Sequence, residues 1–168
     1  MSLIQKYCSK CGGALSVKLV EEEGLIPFCD DCQELRFPTF STAMSTIVLN
    51  PQKNKILLIK QGGRQQFVLV AGYVTLGEAV ETTVRREVLE EVGLKVTEER
   101  FLRSSYYEKT NTLMLNFESV VSSEELTIKV NEVDEAQWFT FSEAKAQIIP
   151  NSLAECFLLN FLKDLESN

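Results

Sequence analysis

The chain has 168 residues, 45% hydrophobic and 24% charged, enough for one good core with a small appended module but not for two large domains. Lys+Arg 17 against Asp+Glu 24 gives a formal net charge of -7, the wrong sign for a general binder of nucleic acid or anionic membranes. Histidine is absent, which removes every His-based triad, dyad and metal ligand.

The first element is a pair of knuckles, Cys8-x2-Cys11 and Cys29-x2-Cys32, separated by a hairpin's length. Two Cys-x-x-Cys turns supply four thiolates in the number and chemistry that zinc takes tetrahedrally, so Zn2+ is expected here, structural because no coordination position is left for water. Ala14 to Val20 and Leu25 to Phe28 read as the two arms of a hairpin joined by Glu21-Glu22-Glu23-Gly24, the pattern of a small zinc ribbon. Residues 1–36 carry Lys6, Lys10, Lys18 and Arg36 against Glu21, Glu22, Glu23, Asp30, Asp31 and Glu34, so no nucleic-acid partner is expected. The boundary is placed at Pro38, giving a ribbon over 1–37 and a second domain over 38–168.

In that domain the apolar run Ala43 to Leu49 predicts a strand, Lys55 to Lys60 a second, and Phe67 to Ala71 a short third that ends at Gly72. A helix from about Glu78 carries Val80, Val84, Val88 and Val92 as its apolar stripe and stops at Gly93, where a left-handed residue closes a helix. Strands are expected over Arg100 to Tyr107, Thr112 to Val121 and Ala136 to Phe139, making a mixed sheet. The last helix follows Pro150 with Ser152-Leu153-Ala154-Glu155 as a capping box, and lone Cys156 on it is expected to be a small buried residue. No apolar run reaches the roughly 18 residues of a membrane span, and the N-terminus shows no signal pattern, so a cytoplasmic protein without a membrane partner is expected.

The chemistry concentrates on the central helix. At about 100 degrees per residue, Glu87, Glu90 and Glu91 fall on one face beside the valine stripe. Like charges so placed repel, and a hard divalent cation such as Mg2+ or Mn2+ supplies the reason to keep them. The nine positions Gly72, Glu78, Arg86, Glu87, Val88, Glu90, Glu91, Gly93 and Leu94 fit Gly-x5-Glu-x7-Arg-Glu-apolar-x-Glu-Glu-x-Gly-apolar. This stretch resembles the Nudix box, and with the four-Cys ribbon the chain resembles the NADH pyrophosphatase branch of that family.

The resemblance implies an α/β fold, a Nudix α/β/α sandwich behind the ribbon. It also implies hydrolysis of the diphosphate bond of a nucleoside diphosphate linked to another moiety: NAD(H), ADP-ribose or an FAD-like compound. It makes Glu87, Glu91, Glu132 and the carbonyl of Ala71 ligands for Mg2+ or Mn2+, with Glu90 sharing the site. Arg86 anchors the glutamates, and Gly72, Glu78 and Gly93 shape the box. Either Glu87 or Glu132 is the expected base. Phe37, Tyr107 and Ala154 are expected near the substrate. Members that act on NADH carry Ser-Gln-Pro-Trp-Pro-Phe-Pro-Gln-Ser after the box. Here Ser104 to Thr112 keeps the length without the prolines or the tryptophan, and Tyr107 stands at the tryptophan's place. A sensor module that binds such a nucleotide without turnover is the alternative, and exposed sheet edges leave a homodimer open.

Overall fold

A computed structural model describes residues 5–129 and 132–167. The chain divides into two compact units, residues 1–40 and 41–168. In the first, β1 (Ser16–Val20) pairs antiparallel with β2 (Gly24–Cys29), which pairs in turn with the two-residue β3 (Glu34–Leu35). Among its described residues the buried apolar ones are Cys8, Ile26 and Cys29, too few to hold a fold by burial alone.

The second unit is built on a six-stranded sheet. Its strands are β4 (Ser41–Leu49), β5 (Lys55–Lys60), β6 (Val70–Tyr73), β7 (Val96–Tyr107), β8 (Thr112–Val121) and β9 (Glu135–Thr140). The order is β7-β8-β4-β5-β9, with β6 also paired to β4. Only the β4–β8 pairing among these is parallel, so the sheet is mixed. Both faces are covered. On β5, Leu57 and Ile59 face one core and Ile56 and Leu58 the other, which is why its sequence is continuously apolar instead of alternating. On β4, Met44 and Val48 divide from Ile47 and Leu49 in the same way. The first core is closed by α1 (Val80–Val92) through Val84, Val88 and Val92, each worth about 1.5–3 kcal/mol on burial. The second is closed by α2 (Phe141–Gln147) and α3 (Leu153–Glu166), the latter through Phe157, Leu158 and Phe161. The result is the expected α/β/α sandwich. Among the described residues, no helix is long and apolar enough to cross a membrane.

Several expectations are corrected. Strand β6 runs through Gly72 to Tyr73, because Met44 and Ala43 of β4 pair with those residues; Val68 and Phe67 make only isolated bridges. Helix α1 starts at Val80, two residues later than expected, and β7 starts at Val96, four earlier. Helix α2 was not foreseen. Cys156 is exposed, since α3 turns Phe157, Leu158 and Phe161 inward and leaves the thiol outside them. Only half of the anticipated capping box forms. Ser152 accepts from Glu155 N at 3.0 Å, but the Glu155 carboxylate takes the amide of Asn151 at 2.6 Å.

Candidate active site

Two glycines of the box lie against α1. Gly93 closes the helix at φ 71°, its amide donating to Leu89 O. Gly72, on β6, lies against the side chain of Glu87. A Cβ there would overlap the carboxyl end of the Glu87 side chain, so glycine leaves the room in which that carboxylate sits. Gly72→Ala should therefore displace Glu87 and cost about 1–3 kcal/mol in stability. Paired thermal unfolding and Mn2+ titration check this, and weakened cation binding is the expected companion of the lowered melting temperature.

Arg86 is the hub of the site. Its Nε and Nη2 donate to the two oxygens of Glu78 at 2.9 and 3.0 Å, a bidentate pair. Its Nη1 donates to Glu87 Oε1 at 2.6 Å and to Glu90 Oε2 at 3.2 Å, and Nη2 reaches Tyr73 O at 3.3 Å. Glu78 also accepts from the Thr75 hydroxyl at 2.9 Å, and the Arg86 guanidinium first of all holds its pKa down to about 2. One planar cation thus ties the loop before α1 to the glutamates on it.

Glu91 differs from its neighbours. It is 5% exposed, and Oε1 accepts from Gln61 Nε2 at 2.6 Å while Oε2 is buried without a hydrogen-bond partner. Burial first, and then the charge of Glu87, pushes its pKa up to about 8. A buried carboxylate oxygen with nothing to accept from is costly unless a cation meets it, and an oxygen donor set suits Mg2+ or Mn2+. Glu132, from outside the box, is exposed and accepts from Lys129 Nζ at 2.8 Å. Its charge reaches Glu91, and Lys129 in turn feels Glu90 and Glu87, so both groups face the box helix. The glutamate oxygens are not drawn into one tight knot. Among the described residues, only the thiols of Cys8, Cys11, Cys29 and Cys32 form a group lying within 4.8 Å of one another.

Beside the glutamates lies a cleft of about 220 Å³, lined by Ala71, Gln61, Ser45, Asn116 and Ala154 among others. A second cleft of about 520 Å³, holding Tyr107, adjoins it through Arg64, Val68, Leu153 and Ala154. Ala71, Ala154 and Tyr107 therefore line one continuous depression. Phe37 is an exposed residue of the first unit. Gln61 and Lys129 escaped the sequence reading, although Gln61 occupies the end of an apolar strand just before Gly62-Gly63, a position where strands deliver side chains to sites.

In the first unit, Cys8 Sγ and Cys32 Sγ are 3.9 Å apart and Cys11 Sγ and Cys29 Sγ 3.5 Å, too far for disulfides. Four sulfurs about 2.3 Å from a tetrahedral ion stand about 3.8 Å from one another, so the spacing fits zinc. Backbone amides around the knuckle and the Arg36 guanidinium pull the Cys8 pKa down to about 6. Hydrogen bonding to Cys11, with burial, pushes Cys32 up to about 12.

A sandwich with a glutamate-bearing helix behind a glycine-containing loop, beside a cleft, defines a Nudix architecture. The chain belongs to the Nudix family, whose domain model matches residues 39–157. It is 30% identical over 168 residues to the NAD-capped RNA hydrolase ndx-9 of Caenorhabditis elegans, covering 97% of this chain and 44% of that protein. It is 32% identical over 149 residues to the human NAD-capped RNA hydrolase NUDT12, covering 80% and 31%. With NudC of Vibrio cholerae, also named an NAD-capped RNA hydrolase, identity is 27%, covering 98% and 60%. The chain thus spans between about a third and three-fifths of the length of these relatives. A Nudix hydrolase structure from Nitrosomonas europaea superposes with a TM-score of 0.69 at 20% identity, over 98% of this chain and 94% of that one, showing the shared fold.

Proposed function

We propose that this chain is a divalent-metal-dependent hydrolase that cleaves the diphosphate bond of an ADP-containing dinucleotide of the NAD type. The carrying observation is the buried, unpartnered Oε2 of Glu91, set on the Arg86-organised helix next to the Ala71 cleft. Relatives named for acting on NAD-linked ends support the substrate class. Glu87, Glu91, Glu132 and the Ala71 carbonyl would hold Mg2+ or Mn2+, with Glu90 at the edge of the set. Zn2+ would hold the ribbon through Cys8, Cys11, Cys29 and Cys32.

When bound, the catalytic cation supplies neutralisation of the diphosphate and acidifies water at the site. The protein's own part is orientation and proton transfer. Water attacks one phosphorus in line, its proton goes to Glu87 or Glu132, and the other phosphate leaves with the bridging oxygen. Tyr107 lines the cleft where a base can stack, and Ala154 leaves room beside it. The intact glutamate set favours turnover over a sensor, because a binder gains nothing from retaining repelling carboxylates.

Arg86→Lys keeps the charge but loses the bidentate grip on Glu78. Activity should fall by about 10- to 100-fold with a raised metal requirement, which a Mn2+ titration of the rate reads directly. The reading itself is tested by phosphorus NMR of NAD+ incubated with the protein and Mg2+. The diphosphate signals should be replaced by those of AMP and nicotinamide mononucleotide, and their persistence alongside measurable nucleotide binding would favour the sensor.

A further inference from the structure

We propose that Arg64 and Lys109 form a phosphate subsite at the outer end of the cleft, taking a single phosphate carried on the ribose of the substrate, outside the diphosphate to be cleaved. The inference rests on the dinucleotide reading above and extends it. The outer cleft holds both cations together with Tyr107, and no Asp or Glu lines it, although the chain as a whole is acidic. Arg64 also lines the inner cleft beside Ala71, so it stands where the two volumes join.

Arg64 is set apart from the other arginines of its unit. Arg85, Arg86, Arg100 and Arg103 each pair with a carboxylate, whereas Arg64 has no ion pair among the described residues, and neither has Lys109. The nearby acid Glu155 is spent on the amide of Asn151. Arg64 is exposed on the Gly62-Gly63 turn, its amide donating to Gln61 O at 3.3 Å, so its guanidinium is free to swing over either cleft. Two cations match one phosphate and are too few for an extended polyanion, in keeping with the acidic ribbon.

The same phosphate chemistry has two sources, a 2′-phosphate on a free dinucleotide or a 3′-linked phosphate where the adenosine continues into a chain. Binding is measured by calorimetry with compounds that lack a scissile diphosphate: 5′-AMP, adenosine 2′,5′-bisphosphate and adenosine 3′,5′-bisphosphate. One bisphosphate should bind about tenfold more tightly than 5′-AMP. A 2′ preference indicates a phosphorylated dinucleotide and a 3′ preference a chain end. Arg64→Gln and Lys109→Gln should each shrink that ratio, and the double variant should bring it to one. Equal binding of all three compounds, or a preference that survives in the double variant, overturns the subsite. Because nothing is cleaved, either result stands whether or not the diphosphatase reading does.

Discussion

Glu91→Gln should fold as well as the wild type and lose at least about 100-fold in metal-dependent hydrolysis. Changing groups that merely support a metal ligand costs about 10- to 100-fold, and Glu91 is assigned to the cation itself. The substitution keeps the oxygen that accepts from Gln61 and exchanges the unpartnered Oε2 for a neutral amide NH2 of similar size, so the fold should be kept. In the metal-free wild type that charge is a burden. Glu91 is pushed up to about 8 by burial and by Glu87, from an ordinary value of 4.5. A raised carboxyl adds stability that is fully present below about pH 4.5 and is lost as the pH rises through about 8. Thermal melts without metal should therefore fall between about pH 5 and pH 8 in the wild type and lose this component in Glu91→Gln. Mn2+ should flatten the wild-type profile, because it favours the ionised form. Full activity in the variant would remove Glu91 from the site.

The second large effect belongs to the ribbon. Cys29→Ser should release one zinc per chain, measured by elemental analysis, and abolish hydrogen-exchange protection of the β1–β2 hairpin. Structural zinc in zinc-finger peptides contributes about 10–16 kcal/mol, whereas Ile26, the one buried aliphatic side chain among the described residues of this unit, contributes about 1.5–3. On the proposed zinc assignment, metal binding and not burial would carry the fold there. Protection should persist at β4 and β8, whose contacts lie in the other unit. A hairpin that stays protected after zinc is lost would contradict this account.

Much of the molecule was legible because its chemistry is local. Four cysteines in two short turns, and Gly72 to Leu94 in fixed register, specify a ribbon and a glutamate helix without long-range information. The valines of α1 and the unbroken apolar run of β5 likewise announce burial directly. What escaped depends on partners distant in sequence. The Gln61 contact with Glu91 spans 30 residues, and β6 extends past Gly72 only because β4 is there to pair with it. Helix α2 is seven residues long, too short for a periodic stripe, yet Thr140 and Glu143 form a complete capping box that marks its start. Cys156 was misplaced because a small thiol on an apolar helix carries no local signal of which face packs, and the second core takes the face through Phe157, Leu158 and Phe161.

The most direct test of the central claim is AMP release from NADH, NAD+, ADP-ribose and FAD by the purified chain, with Mg2+ or Mn2+ and with a chelator in parallel. Turnover of at least one of these compounds that stops when the catalytic cation is removed is the predicted result. No AMP from any of them in the presence of either cation would contradict the assignment of this chain as a diphosphatase.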